Sequence, residues 1–155
     1  MSMKKELYII LHNVRSRFNV GSVFRTADGA GVSKIYLGGI TPSPPHPKIA
    51  KVSLGAEEYV LHETIWHTYR LIDKLKKQGI KIVAVEQAKN SIAYYKFKPK
   101  FPLAIIMGSE TKGLSKAILK RCDTIIEIPM HGKKESLNVA TACGIIAFYI
   151  KNAPN

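Results

Sequence analysis

Cysteine is scarce. The two in 155 residues, Cys122 and Cys143, stand far apart with neither CxxC nor Cys/His ligand spacing around them, which argues against a disulfide framework and a structural zinc site. Both read as buried or inert thiols. The histidines at 12, 46, 62, 67 and 131 are not spaced as a metal site either, so no metal is expected; His131 alone sits beside a loop of interest. Long hydrophobic runs are missing: nothing approaches the roughly 20 residues of a membrane span, and no membrane association is expected. The opening MSMKKELYIILHN carries two lysines and a short apolar run but no small-residue cleavage site, so it reads as a first strand, and a cytoplasmic location is the expectation. No GxGxxG follows that strand and no Walker lysine motif appears, which removes the usual support for dinucleotide and P-loop functions.

Acidic residues are the next shortage. Against 24 Lys and Arg there are only 11 Asp and Glu, a net charge of +13. The imbalance is uneven: residues 70 to 121 hold 13 basic residues and three acids, +10 of the total. Such a field attracts polyanions, and nucleic acid is favoured over a membrane surface because no basic amphipathic helix with a large aromatic or Leu face accompanies it. Hydrophobic residues at 46% and charged residues at 23% suit a globular protein, and 155 residues are the size of one domain with its own core.

What is present alternates between strand and helix signals. LYIILHN (7–13), KIYLGGI (34–40), KIVAVE (81–86), PLAIIM (102–107) and TIIEIP (124–129) are short apolar or β-branched runs, read as strands. Between them, VGSVFRTADGAG forms a helix closed by Gly29 and Gly31. Ile65, Trp66, Tyr69, Ile72 and Leu75 recur at helical spacing, which predicts a helix over 64–78 ended by Gly79. SKAILKRC is a short helix and LNVATACGIIAFYI a long one with little polar face, fit for burial against another surface. TPSPPHP (41–47), with four prolines in seven residues, must be a loop and is a candidate to face substrate. The alternation predicts an α/β fold with a mostly parallel sheet and helices on both faces, in which ligands sit beyond the carboxyl ends of the strands.

Three segments follow such strand ends. In FNVGSVFRTADGAGV (18–32), Asn19 and Arg25 lie six residues apart; a cap and a solvated side chain account for them, but Arg offers fixed donors suited to a phosphate. In LAIIMGSETKGLS (103–115), Glu110 stands between Gly108 and Gly113 just after a buried strand, placed to accept hydrogen bonds from a ligand or to fix Arg25 and the loop. In IPMHGKKESLNVA (128–140), Ser136 and Asn138 stand where the last helix begins, and the unpaired backbone groups of the loop can hold a polar ligand. Tyr94, Tyr95 and Phe97 interleave with Lys96, Lys98 and Lys100, a pattern open to base stacking or to partial burial.

In this order, N-x-G-x-x-x-R at Asn19, Gly21 and Arg25, G-x-E-x-x-G-L from Gly108 to Leu114, and the Ile128–Asn138 segment resemble the signature of the SpoU (TrmH-like) family of SPOUT-class RNA ribose 2'-O-methyltransferases. The resemblance spans nearly the whole chain, and Val20, Ser22 and the Lys133–Lys134–Glu135 stretch fall at variable places. It implies one SPOUT domain over 1–155 whose part from about Leu103 to Lys151 is threaded into a trefoil knot, and a homodimer. It implies S-adenosyl-L-methionine as cofactor, held around Met107, Gly108 and Gly113, near Ile128 and Met130, under Leu137 beside Ser136, and along a third wall at Val85, Glu86 and Gln87. Arg25, Asn19, Glu110, Ser136 and Asn138 would be the catalytic set, with Arg25 donated by the partner. The implied substrate is tRNA or else rRNA, recognised by the catalytic domain and its partner because only about six residues precede the first strand. The minimal size resembles that of the tRNA wobble-ribose enzymes, whereas motif one is as close to enzymes acting on the tRNA D-loop or on rRNA. A catalytically silent RNA-binding module and an RNA base methyltransferase are the competing readings.

Overall fold

The computed structural model describes residues 4–154. A seven-stranded parallel sheet runs β3-β2-β1-β6-β4-β7-β5, formed by Leu7–His12 (β1), Lys34–Gly38 (β2), His62–Ile65 (β3), Lys81–Val85 (β4), Ile92–Ala93 (β5), Leu103–Met107 (β6) and Thr124–Glu127 (β7). The α-helices are Arg17–Ala30 (α1), Pro47–Ser53 (α2), Thr68–Lys77 (α3), Lys116–Arg121 (α4) and Val139–Asn152 (α5).

The two-residue period of the strands divides the core into two layers. Leu7, Ile9 and Leu11 of β1, Leu103, Ile105 and Met107 of β6 and Val83 of β4 face α1 and α5, where Phe24, Ala27, Cys143, Ile146 and Ile150 are buried. Their neighbours Ile10, Ile82, Ala84, Ala104 and Ile106 face Leu71, Ile72 and Leu75 of α3 and Ile118 of α4. Both faces of β6 are sealed, which is why its sequence is continuously apolar rather than alternating. Truncating Phe24, a fully buried side chain, to Ala would cost about 3–5 kcal/mol.

Most expected elements stand where the sequence puts them, with corrections. The helix expected over 64–78 starts only at Thr68. Thr64 and Ile65 are β-branched and pair instead with Leu37 and Gly38 of β2, leaving Trp66 78% exposed in the turn. Gly29 lies inside α1, and the left-handed residue that closes it is Gly31 (φ 69°). Asn13 and Gly39 also take positive φ, so β1 and β2 stop short of the expected ends. The proline-rich segment is a loop as expected, but Pro47 opens the short helix α2, since its fixed φ suits a first helical position. Thr41 is buried and ties the loop to β1, its hydroxyl accepting from the Val14 N–H and lying within hydrogen-bond distance of the Leu11 and Gly38 carbonyls.

Gly21 has a packing reason. A Cβ there would lie 2.6 Å from the Ile49 carbonyl oxygen, so its absence lets α2 approach α1. His12 is half-buried, its Nδ1 2.7 Å from Thr68 Oγ1, and burial holds its pKa below the ordinary value. Burial likewise pushes the Cys143 thiol to about 12 and the Cys122 thiol to about 11, so neither is a reactive thiolate near neutral pH.

Candidate active site

A cleft of about 640 Å³ opens beyond the carboxyl ends of β4, β6 and β7. Parallel strands leave their last backbone groups there, and the loops that follow supply the walls. The β4 end contributes Val85, Glu86 and Gln87; the β6 end contributes Met107 and the loop from Gly108 to Leu114; the β7 end contributes Glu127, Ile128 and Met130; and the start of α5 adds Ser136, Leu137 and Asn138. Every residue assigned to the cofactor from the sequence therefore lines this one cleft, as do Glu110, Ser136 and Asn138 of the catalytic set.

The loops meet closely. A Cβ on Gly108 would come within 2.6 Å of the Gly113 backbone carbon, so the 108–114 loop folds back on its own strand only with glycine there. Gly113 (φ 63°) takes a left-handed conformation against the Glu86 carboxylate, which accepts from the Leu114 N–H at 2.9 Å and the Gln87 N–H at 3.1 Å. Glu86 thus staples the first wall to the second. That role was not foreseen from the sequence, where nothing signals a contact between positions 86 and 114.

At the mouth of the cleft one hydrogen-bonded chain joins all three motifs. Asn138 caps α5, its Oδ1 accepting from the Ala140 N–H at 2.9 Å and the Thr141 N–H at 3.2 Å. Its Nδ2 donates to Asn19 Oδ1 at 3.1 Å, and Asn19 Nδ2 donates to Glu110 Oε1 at 3.1 Å. Ser16 caps α1 and holds the Asn19 backbone, and the Arg15 and Ser16 N–H groups point at the Glu110 carboxylate over 3.4 Å. Burial by itself would raise the Glu110 pKa; hydrogen bonds from its own backbone N–H, from Asn19 and from Arg15 and Ser16 outweigh it and hold the carboxyl below the ordinary glutamate value.

Arg25 is not in this group. It lies on exposed α1 surface and does not line the cleft, and Glu110 is fixed by Asn19 rather than by Arg25. Six helical residues separate Asn19 from Arg25 by about 120° of rotation and about 9 Å of rise, which carries the guanidinium away from its own chain's cleft. His131 is exposed and outside the lining, and the Thr41–Pro47 loop also does not line the cleft. Tyr94 packs edge-to-face on Tyr149, whose hydroxyl lies within hydrogen-bond distance of the Phe97 and Tyr95 carbonyls; Tyr94 and Phe97 are partly buried, and of the three aromatics only Tyr95 is strongly exposed. Among the described residues, no group of three or more His, Cys, Asp or Glu side chains could hold a metal ion.

This arrangement, three loops at strand ends tied by Asn19, Glu110 and Asn138, coincides with a family model that matches residues 6–148. The chain belongs to the SpoU rRNA Methylase family. The 23S rRNA (guanosine-2'-O-)-methyltransferase RlmB of Vibrio parahaemolyticus is 36% identical over 143 residues, covering 92% of this chain and 57% of its own length. The AdoMet-bound rRNA methyltransferase of Sinorhizobium meliloti superposes with a TM-score of 0.90 at 30% identity, over 96% of this chain and 57% of that one. The A. aeolicus TrmH/SpoU tRNA modifying enzyme gives a TM-score of 0.86 at 28% identity, over 96% and 75%. The chain spans about three fifths of the length of the curated relatives that it matches. Among the described residues, no helix is long and apolar enough to cross a membrane.

Proposed function

We propose that this chain is a SpoU methyltransferase domain, extending over 1–155, that transfers a methyl group from S-adenosyl-L-methionine to a ribose 2'-hydroxyl of RNA, tRNA or rRNA. The observation that carries the reading is the Asn138–Asn19–Glu110 chain, which joins the three motifs at the mouth of one cleft. The names of the Vibrio and Sinorhizobium relatives support ribose methylation of rRNA with this cofactor, and that of the A. aeolicus enzyme supports tRNA. A cytoplasmic location follows from such a substrate.

The cleft suits the cofactor in size and in charge. Its volume is that of a nucleoside-sized site. In a protein of net charge +13 its lining carries Glu86, Glu110 and Glu127 against a single Lys112, an environment for a sulfonium cation and not for the phosphates of NAD or ATP. Backbone groups near Ile128 and Met130 would hold the adenosyl part and Leu137 would cover the ring, while Gly108 and Gly113 let the facing loop fold back against β6 and Glu86. When bound, the cofactor supplies an electrophilic methyl group. The chain's own work is to align the 2'-oxygen and ease loss of its proton. Asn19, Glu110, Ser136 and Asn138 orient the reacting groups, with Glu110 kept as an ionised acceptor by its donors. Arg25, a permanent cation, holds the phosphate next to the ribose and stabilises charge developing on the 2'-oxygen, the proton leaving through that phosphate.

Arg25 would act on a partner's cleft in a homodimer. Phe18, Ser22, Arg25 and Gly29 form one stripe of α1, spaced four, three and four residues apart, and Phe148 of α5 lies against Gly29. Phe18 and Phe148 are 47% and 44% exposed, an apolar face that a second copy would cover. The trefoil knot implied for 103–151 would draw the 108–114 and 128–138 loops, which line one cleft, together. The test is to react the protein with methyl-labelled cofactor and either tRNA or rRNA, digest the RNA and identify the nucleosides by mass spectrometry. A labelled 2'-O-methylribose is expected. A labelled base, or no label in either RNA, would refute the assignment.

A further inference from the structure

The basic stretch at residues 70–121 is one block in sequence but not in space. In a parallel sheet every strand starts at the same end, and β1, β6 and β4 are neighbours in register, with Leu7 opposite Leu103 and Leu103 opposite Lys81. Lys4 and Lys5 precede β1, Lys98 and Lys100 precede β6, and Lys81 opens β4. The helices that return along the strands end at the same place: α3 and α4 finish in Lys76, Lys77, Lys120 and Arg121, and α5 in Lys151. Contacts bind the region together. Lys5 Nζ lies 6.0 Å from the Phe101 ring centroid and donates to the Ala153 carbonyl, Lys151 Nζ donates to the Lys5 carbonyl, and Lys76 Nζ donates to the Arg121 carbonyl. Ten basic residues thus gather at the amino end of the sheet, a strand length of roughly 16 Å from the cleft.

At this end Glu63 of β3 pairs with Lys34 of β2, and beside the ten basic residues stand four further acids, of which three are engaged. Glu6 accepts from the Tyr8 hydroxyl, Asp73 lies 3.8 Å from Arg121, and Asp123 accepts from the Ile82 N–H, leaving Asp28 of α1. The crowding of cations is felt locally: burial, then Lys5 and Lys4, hold the Lys151 pKa below its ordinary value. Complementing helix dipoles accounts for the basic residues of the last helical turns. It does not account for Lys4, Lys5, Lys81, Lys98 and Lys100, which lie outside helices and of which all but Lys5 are exposed.

We propose that the amino end of the sheet is a second RNA-binding surface, which grips the phosphate backbone of the substrate at a distance from the reacting ribose held over the acid-lined cleft. The inference rests on the proposed function for its choice of polyanion. It divides labour between the two ends of the sheet: the cleft, lined by Glu86, Glu110 and Glu127, takes the cationic cofactor, and the opposite end takes RNA.

The test compares Lys81→Gln/Lys98→Gln/Lys100→Gln with a control, Lys48→Gln/Lys51→Gln on α2, in fluorescence-anisotropy titrations of labelled unfractionated tRNA from low to moderate salt. Three lost phosphate contacts should lower the slope of log affinity against log salt by about 2 to 3, whereas the control should change it by less than about 1. Calorimetric affinity for S-adenosylhomocysteine and the thermal midpoint should stay at wild-type values. A wild-type slope in the triple variant, or an equal loss per charge in the control, would overturn the surface. Wild-type protein with no measurable RNA affinity would overturn it together with the proposed function. RNA binding with the expected slope but no methyl transfer to any RNA would sink the proposed function alone.

Discussion

Asn138 has two roles that can be separated by one atom. Its Oδ1 caps α5 and its Nδ2 donates to Asn19, so Asn138→Ala loses both and Asn138→Asp loses only the second. Loss of an N-cap costs about 0.5–2 kcal/mol, and loss of a solvent-exposed neutral hydrogen bond adds about 0.5–1 kcal/mol. For a chain of this size each kcal/mol moves the thermal midpoint by roughly 2–4 °C, so the Ala variant should melt about 2–12 °C lower. Asp caps as well as Asn, so Asn138→Asp should melt within about 3 °C of wild type. Its second oxygen, however, would face Asn19 Oδ1. Asn19 can relieve that repulsion only by turning its amide, which would aim its oxygen at Glu110 and remove the donor that holds the carboxylate. Asn138→Asp is therefore expected to keep stability while methyl transfer falls at least about tenfold, equivalent to about 1.4 kcal/mol, and the Glu110 carboxyl should move up toward the ordinary range in a carbon-detected NMR titration. Differential scanning calorimetry and single-turnover methylation measure the two halves. If Asn138→Asp melts as low as Asn138→Ala, or if both retain full methyl transfer, the reasoning fails.

Other consequences follow from the same geometry. Gly108→Ala would drive a Cβ into the Gly113 backbone, displacing the 108–114 loop at a cost of about 1–3 kcal/mol, and calorimetry should show S-adenosylhomocysteine binding weakened or abolished. Arg25→Ala, an exposed change, should leave the thermal midpoint and cofactor affinity near wild type while methyl transfer drops by orders of magnitude; mixing it with Gly108→Ala chains should restore part of the activity if Arg25 serves the partner's cleft. Near-normal single turnover in Arg25→Ala would reduce that side chain to a solvated helix residue. The depressed Glu110 carboxyl contributes stability that is fully present above the unfolded glutamate value of about 4.3 and is lost as pH falls through the lower folded value; accordingly Glu110→Gln should flatten the acid limb of a pH–stability curve below that point and leave its shape above it unchanged.

Much of this protein was legible from local signals. Apolar runs of strand length, Gly31 and Gly79 at helix ends and Asn138 at a helix start act over a few residues, and a parallel α/β sheet follows from their alternation because each strand must be covered on both faces. The candidate cofactor residues came instead from the resemblance of the loops after β4, β6 and β7 to the SpoU motifs, and all of them line the one cleft. Local signals failed where partners distant in the chain decided the outcome. Ile65 has helical spacing with Tyr69 and Ile72, yet pairing with β2 drew it and Thr64 into a strand. Glu86 staples Leu114 across 28 residues, Asn19 meets Glu110 across 91 and Asn138 across 119, and no periodicity encodes such contacts. Charge shows the division most plainly. The sequence alone determined that the protein is strongly basic, whereas only the direction in which each strand enters the sheet sent lysines to one end and left carboxylates lining the other.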